Sequence, residues 1–173
     1  MVTETEIQPL IENGLSVEQI SIYTGAGMSC GTCKEFISEM IMKNKEATKQ
    51  QLLDEKYIRV MFDYCASAVW DKEGFNRDYS DFPISVELSN AFNAWTIKMD
   101  KKMWKWDSSG ESELKGVTKP DIIALCDEGR ALASKLKQEL PDWTIIYFDD
   151  SKMTNDDNQP RSTFEYEITL EDV

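Results

Sequence analysis

Two cysteines, Cys30 and Cys33, stand three residues apart in the sequence CGTC and offer the clearest chemistry in the chain. Thiols at this spacing can ligate one metal ion or react with each other, and both reactions use the thiolate form. A stretch with helical periodicity follows the pair, and the N–H groups at the start of a helix favour negative charge. The spacing therefore predicts a metal or dithiol site where a helix begins.

Three short helices are predicted for residues 1–42, and they would position these thiols. Thr3 and Glu6 have the spacing of a capping box, which starts a helix, and a second pair of this kind follows. Apolar residues recur at helical spacing after each pair, and glycines separate the segments. The polar stretch 43–56 is typical of a solvated helix end and linker. We expect a compact helical module followed by this helical linker.

The order of these segments resembles a known family. An I-x-x-L start, a short loop, an S-x-x-x-I helix and then TGAGxxCGTC are similar to the bacterioferritin-associated ferredoxin type of [2Fe-2S]-binding module. The resemblance covers residues 1–42 and implies that Cys30 and Cys33 are cluster ligands. In that family a C-x-C pair just before the first helix completes the four ligands. The sequence between Met1 and the first helix holds no such pair, so the module resembles a degenerate form.

Two thiolates are fewer than the four protein ligands that iron–sulfur clusters and structural zinc normally use. Three interpretations stay open. The module is a relic that packs without metal; or it holds a [2Fe-2S] cluster or zinc across a homodimer or with the help of Cys65; or Cys30 and Cys33 act as a dithiol. The dithiol is the weakest of the three, because no βαβ pattern surrounds the pair. The cofactor is unknown from sequence alone.

The chain is acidic, and its charge is unevenly distributed. The formal net charge is −13, and residues 139–173 hold 10 acidic and 2 basic side chains, including Asp149, Asp150, Asp156 and Asp157. Such a surface repels phosphates, which argues against direct nucleic-acid binding and against a helix-turn-helix at residues 14–37. It suits a basic protein partner, although charge of this kind also serves solubility. We predict a partner-binding site at these four aspartates.

Histidine is absent from the chain, which removes the common routes to nucleophile activation and proton transfer. No phosphate-binding glycine loop and no calcium-loop pattern is present, so the sequence leans away from an enzyme. No run approaches the roughly 18 apolar residues of a membrane helix. No secretory signal precedes the first helix. We expect a cytoplasmic protein without a membrane partner.

Residues 57–173 are predicted to form an α/β domain, which gives the chain an α+β fold. Strand-like and helix-like patterns occur in the order strand, helix, helix, strand, strand. The helices begin near Ser85 and Pro120. Residues 65–81 are predicted to be irregular. This order predicts a small sheet covered by two helices.

Two further features of this region bear on function. Cys126 falls on the apolar face of the second of these helices, which predicts a buried free thiol. The segments WDKEGFN, DFPIS and WTIIYFDD are similar to those of small uncharacterised bacterial α/β proteins, and that resemblance implies no activity.

Two functions from different classes remain. The first is a non-enzymatic interaction protein of the immunity, inhibitor or adaptor type that binds a basic protein partner. The alternative is a small redox or metal-binding accessory protein that holds a [2Fe-2S] cluster or zinc through Cys30 and Cys33, with a homodimer as one way to complete the site. The sequence favours the first function, because its acidic segment is complete whereas half of the expected metal site is missing.

Overall fold

The computed structural model describes residues 2–27, 31–107, 118–153 and 159–172, without the side chains of 103–107 and 172. The chain divides into two compact units, Met1–Asp54 and Glu55–Val173. The described residues form the helices α1 (Glu4–Glu12), α2 (Val17–Thr24), α3 (Thr32–Glu55), α4 (Val86–Asp107) and α5 (Lys119–Glu139), and the strands β1 (Tyr57–Val60), β2 (Val69–Trp70), β3 (Thr144–Phe148) and β4 (Glu165–Ile168). The predicted α+β fold is confirmed. Within the described part, no helix combines the length and apolar character needed to cross a membrane.

The amino-terminal unit is built from capped helices around a small apolar core. The Thr3 N–H donates to Oε2 of Glu6 at 2.8 Å, as the capping-box spacing predicts. Gly25 ends α2 with φ of +71°, a conformation that glycine adopts without strain. Helix α3 is continuous through the polar stretch that follows residue 42. The core consists of Ile7, Ile11, Ile20, Ala26, Ile37 and Met40.

The carboxyl-terminal unit contains a four-stranded sheet in the order β2-β1-β3-β4. Strands β1 and β3 are parallel, and the two outer strands are antiparallel to their neighbours. Burial alternates along β1 and through most of β3, so one face of the sheet carries most of the core. Helix α5 packs on β3 and β4, and α4 packs along α5.

Strand β2 contradicts the prediction that residues 65–81 are irregular. Val69 and Trp70 pair with β1 in antiparallel register. Trp70 also forms an isolated antiparallel bridge with Asn76. A strand of two residues has no alternation that a sequence pattern can reveal, so its pairing depends on β1 being in place.

Helices α4 and α5 and strand β3 meet at a glycine. The Trp95 Nε1–H donates to the Leu125 carbonyl at 2.7 Å, and the Tyr147 hydroxyl donates to the Cys126 carbonyl at 2.5 Å. A Cβ atom on Gly129 would lie 2.7 Å from Cε2 of Trp95 and 2.9 Å from the Tyr147 oxygen. Such distances are shorter than van der Waals contact, so only glycine lets both rings reach α5.

We expect Gly129→Ala to lower the free energy of unfolding of the carboxyl-terminal unit by about 1–2 kcal/mol net. The clash with Trp95 outweighs the ~1 kcal/mol that alanine gains in helix propensity. All five tryptophans lie in this unit, so tryptophan fluorescence during urea unfolding reports on it. Ala131→Gly, at an exposed position of α5, controls for propensity alone. A Gly129→Ala protein as stable as the wild type would contradict the steric argument.

Candidate partner-binding surface and cysteine site

Carboxylates collect at one edge of the sheet, where the parallel strands end. Asp63 follows β1, and Asp149 and Asp150 follow β3 directly. Asp100 of α4 reaches the same edge, because its Oδ1 accepts a hydrogen bond from the Cys65 N–H at 3.4 Å. We call these four aspartates the acidic edge. Binding sites of α/β folds commonly lie outside the carboxyl ends of parallel strands, so the topology gives this edge a suitable position.

Asp149 faces the protein rather than solvent. Its side chain is buried, and Oδ1 accepts hydrogen bonds from the Ser151 N–H at 3.2 Å and from the Ser151 hydroxyl at 2.5 Å. Lys152 Nζ lies 3.3 Å from Oδ2. The Asp149 N–H donates to the Phe164 carbonyl at 2.7 Å. This aspartate therefore caps the turn that follows β3 and ties it to the chain before β4.

Asp150 is half-buried, and its negative charge acts on the thiol of Cys126. Cys126 is 2% exposed and forms no disulfide, which confirms the predicted buried free thiol. Burial, and after it the negative charge of Asp150, raises the pKa of Cys126 to about 12. The thiol therefore stays protonated at neutral pH. Asp156 and Asp157, the other two aspartates of the predicted binding site, lie outside the described residues.

Cys33 is exposed and is the second residue of α3. The Lys34 N–H donates to the Gly31 carbonyl at 2.9 Å, which closes the first turn of the helix. Cys30, the other predicted ligand, lies outside the described residues. Among the described residues, no group of three or more Cys, Asp or Glu side chains is placed to hold a metal ion. The described residues therefore do not by themselves fit a four-ligand cluster.

One exposed aromatic side chain, that of Phe75, has a fixed backbone and was not predicted from the sequence. Phe75 is 61% exposed in the loop after β2. Asp71 to Gly74 form a turn, in which the Gly74 N–H donates to the Asp71 carbonyl at 3.2 Å. A turn signal reports backbone shape, but it does not report which side chain the turn leaves in solvent.

Comparison with known families gives two matches. A family described as Serratia CdiI immunity protein-like matches residues 56–150, which is more than half of the 173 residues. A family described as BFD-like [2Fe-2S] binding domain matches residues 1–43. The second match confirms the resemblance of the amino-terminal segment. A comparison with curated proteins finds no match.

The different burial of the thiols predicts their reactivity. At pH 8, iodoacetamide should modify Cys33 and Cys65, which are exposed, while Cys126 stays unmodified. Cys126 is protected because it is buried and because a pKa of about 12 leaves little thiolate at pH 8. Peptide mass spectrometry measures the modification at each site, and labelling in 6 M guanidinium is the control in which Cys126 should react. Rapid native labelling of Cys126 would contradict its burial.

Proposed function

The chain belongs to the Serratia CdiI immunity protein-like family, and from this membership we propose that it is a non-enzymatic immunity-type protein that binds a toxin protein. An immunity protein acts by occupying its toxin, so it needs a binding surface and no catalytic group. The absence of histidine fits such a role, because it removes the usual acid–base residue. An immunity protein must bind its toxin in the compartment where the toxin acts. We propose that this compartment is the cytoplasm.

The observation that carries the proposal is the acidic edge. It brings carboxylates from three separate segments to the end of the sheet. Asp156 and Asp157 follow β3 in the sequence, and we propose that they extend this surface. We propose a basic surface on the toxin as its complement. Enzymes that act on nucleic acids carry such surfaces, because they neutralise phosphates. An acidic inhibitor would compete for the same groups. In this proposal Asp150, Asp156 and Asp157 supply charge, while Asp149 contributes by holding the turn in shape.

Protection from a toxin tests the function itself. A cell that makes a toxin survives only while it also makes the immunity protein. Genes for the two proteins are therefore expected side by side, and the toxin to test is the protein encoded beside this chain. Co-expression of the chain should restore growth to cells that produce this toxin, and the two purified proteins should form a stable complex. Failure of the chain both to bind the toxin and to restore growth would refute the proposal.

Charge neutralisation tests the surface. The double variant Asp156→Asn/Asp157→Asn should slow association with the toxin by about tenfold at low salt and leave dissociation nearly unchanged, because peripheral charges act mainly on encounter. Stopped-flow association at 20 mM and 500 mM NaCl is the measurement, and the difference should vanish at high salt.

The matched control for this experiment removes the same charge elsewhere. Glu4→Gln/Glu12→Gln neutralises two exposed acids on α1 of the amino-terminal unit. This control should associate at nearly the wild-type rate. If both double variants slow association equally, the net charge of the chain governs the association rate. The proposed location of the binding surface, at Asp156 and Asp157, is then wrong.

A second candidate function is supported by the amino-terminal match and by the exposed Cys33 at the start of α3. A [2Fe-2S] cluster or a zinc ion would take two thiolates from each of two chains, Cys30 and Cys33 in both cases. Protein purified without oxygen should then be dimeric, and a cluster form should be brown with about one iron per chain. Cys33→Ser should abolish metal binding, whereas Cys65→Ser should keep it. A colourless, metal-free wild-type protein would refute this second function. The amino-terminal module would then be a relic that packs without metal.

A further inference from the structure

A buried ion pair holds the loop after β2. The carboxylate of Asp71 is fully buried, and its Oδ1 accepts a hydrogen bond from the Phe75 N–H at 2.8 Å. Its Oδ2 accepts from the Arg77 Nε–H at 2.7 Å and lies 2.6 Å from a second guanidinium nitrogen. Such paired contacts fix the plane of the guanidinium as well as its position. The carboxylate thus joins both sides of the turn.

The base of this loop is fixed by a second set of hydrogen bonds. The Asn76 side-chain amide donates to the carbonyls of Ser67 and Val69 at 2.9 Å and 3.1 Å. The Ser67 N–H donates to Oδ1 of Asn76 at 3.2 Å, and the Ser67 hydroxyl donates to the Arg77 carbonyl at 2.5 Å. Ser67 lies in the connection between β1 and β2, which also contains Asp63, so these hydrogen bonds tie the base of the loop to that connection.

Phe75 stands in solvent on this fixed loop. Its side chain is 61% exposed, and the Arg77 guanidinium carbon lies 5.5 Å from the ring centroid. A mobile loop would let the ring turn towards apolar surface, but the bonds to Asp71 restrain the backbone at Phe75 itself. A flexible binding loop loses conformational entropy when it becomes ordered on association. Because this loop is already ordered in the folded protein, binding does not incur that loss. An aromatic side chain held in this way has the properties of an interface hot spot.

We propose that Phe75 is the apolar anchor of the protein–protein interface, and that it inserts into an apolar pocket bordered by basic side chains on the toxin. The exposed charged residues next to Phe75 in the sequence are mostly acidic, and this indicates a basic border on the toxin pocket. They are Glu73 and Asp78, with one lysine, Lys72. Arg77 is occupied by Asp71. This inference rests on the proposed function, and it adds a contact that determines how long the complex lasts.

The test compares Phe75→Ala with Ile97→Ala, which truncates another exposed apolar side chain, on α4. Binding to the toxin encoded beside this chain is followed by biolayer interferometry. Phe75→Ala should raise the dissociation rate by about 30-fold, as hot-spot truncations do, and should change association by less than threefold. Ile97→Ala should leave both rates within about twofold of the wild type. Urea unfolding should confirm that neither exposed truncation disturbs the fold.

Asp71→Asn tests the positioning role separately from the ring. The amide cannot bind the Arg77 guanidinium as a carboxylate does, so amide hydrogen exchange at residues 72–76 should accelerate while Phe75 is retained. Affinity should fall by about fivefold, because the loop must then be ordered on binding. Accelerated exchange with unchanged affinity would overturn the positioning role of Asp71.

The outcomes separate this inference from the proposed function. If the wild type binds the toxin and Phe75→Ala dissociates no faster than Ile97→Ala, the anchor is refuted while the immunity function stands. If the wild type does not bind the toxin, the proposed function and the anchor are both refuted.

Discussion

The packing of the carboxyl-terminal unit depends on the absence of a side chain at Gly129 of α5. A glycine inside a helix costs about 1 kcal/mol relative to alanine, but here it admits the rings of Trp95 and Tyr147. Each ring brings a polar group that needs a partner when it is buried, and carbonyls of α5 accept from both. These contacts join α4 and β3 to α5. They also fix the end of β3, after which Asp149 and Asp150 follow at once.

Part of the acidic character of the chain is structural. Asp71 and Asp149 are both buried, both accept a backbone N–H within a tight turn, and both have a basic side chain within ion-pair distance. Removing a partner from such a carboxylate leaves a buried charge uncompensated, which is strongly unfavourable. The net charge of −13 therefore combines two kinds of acid, those that hold loops and those that solvent and a partner can reach.

Local sequence patterns were sufficient for the elements that repeat. The helices of both units follow from apolar spacing and caps, and Cys126 follows from its place on an apolar face. Three features depend on how side chains and strands pack in three dimensions and not on a local periodicity, so the sequence pattern did not predict them. Strand β2 pairs with the edge that β1 offers, Asp149 is buried by the chain around it, and the backbone at the exposed Phe75 is held by Asp71, which also pairs with Arg77. A run of aspartates looks the same in sequence whether one member is buried or all are solvated.

Charge and apolar contact act at different stages of binding, and an immunity-type protein needs both. Charges attract over about a Debye length, ~8–10 Å, so an acidic surface meets many basic proteins without distinguishing among them. Discrimination requires an element that a wrong partner cannot satisfy. A fixed aromatic ring is such an element, because it gains burial only where a pocket of its shape receives it and hinders close approach elsewhere. Since the loop at Phe75 is built from hydrogen bonds within the unit, that discrimination is present before the partner arrives.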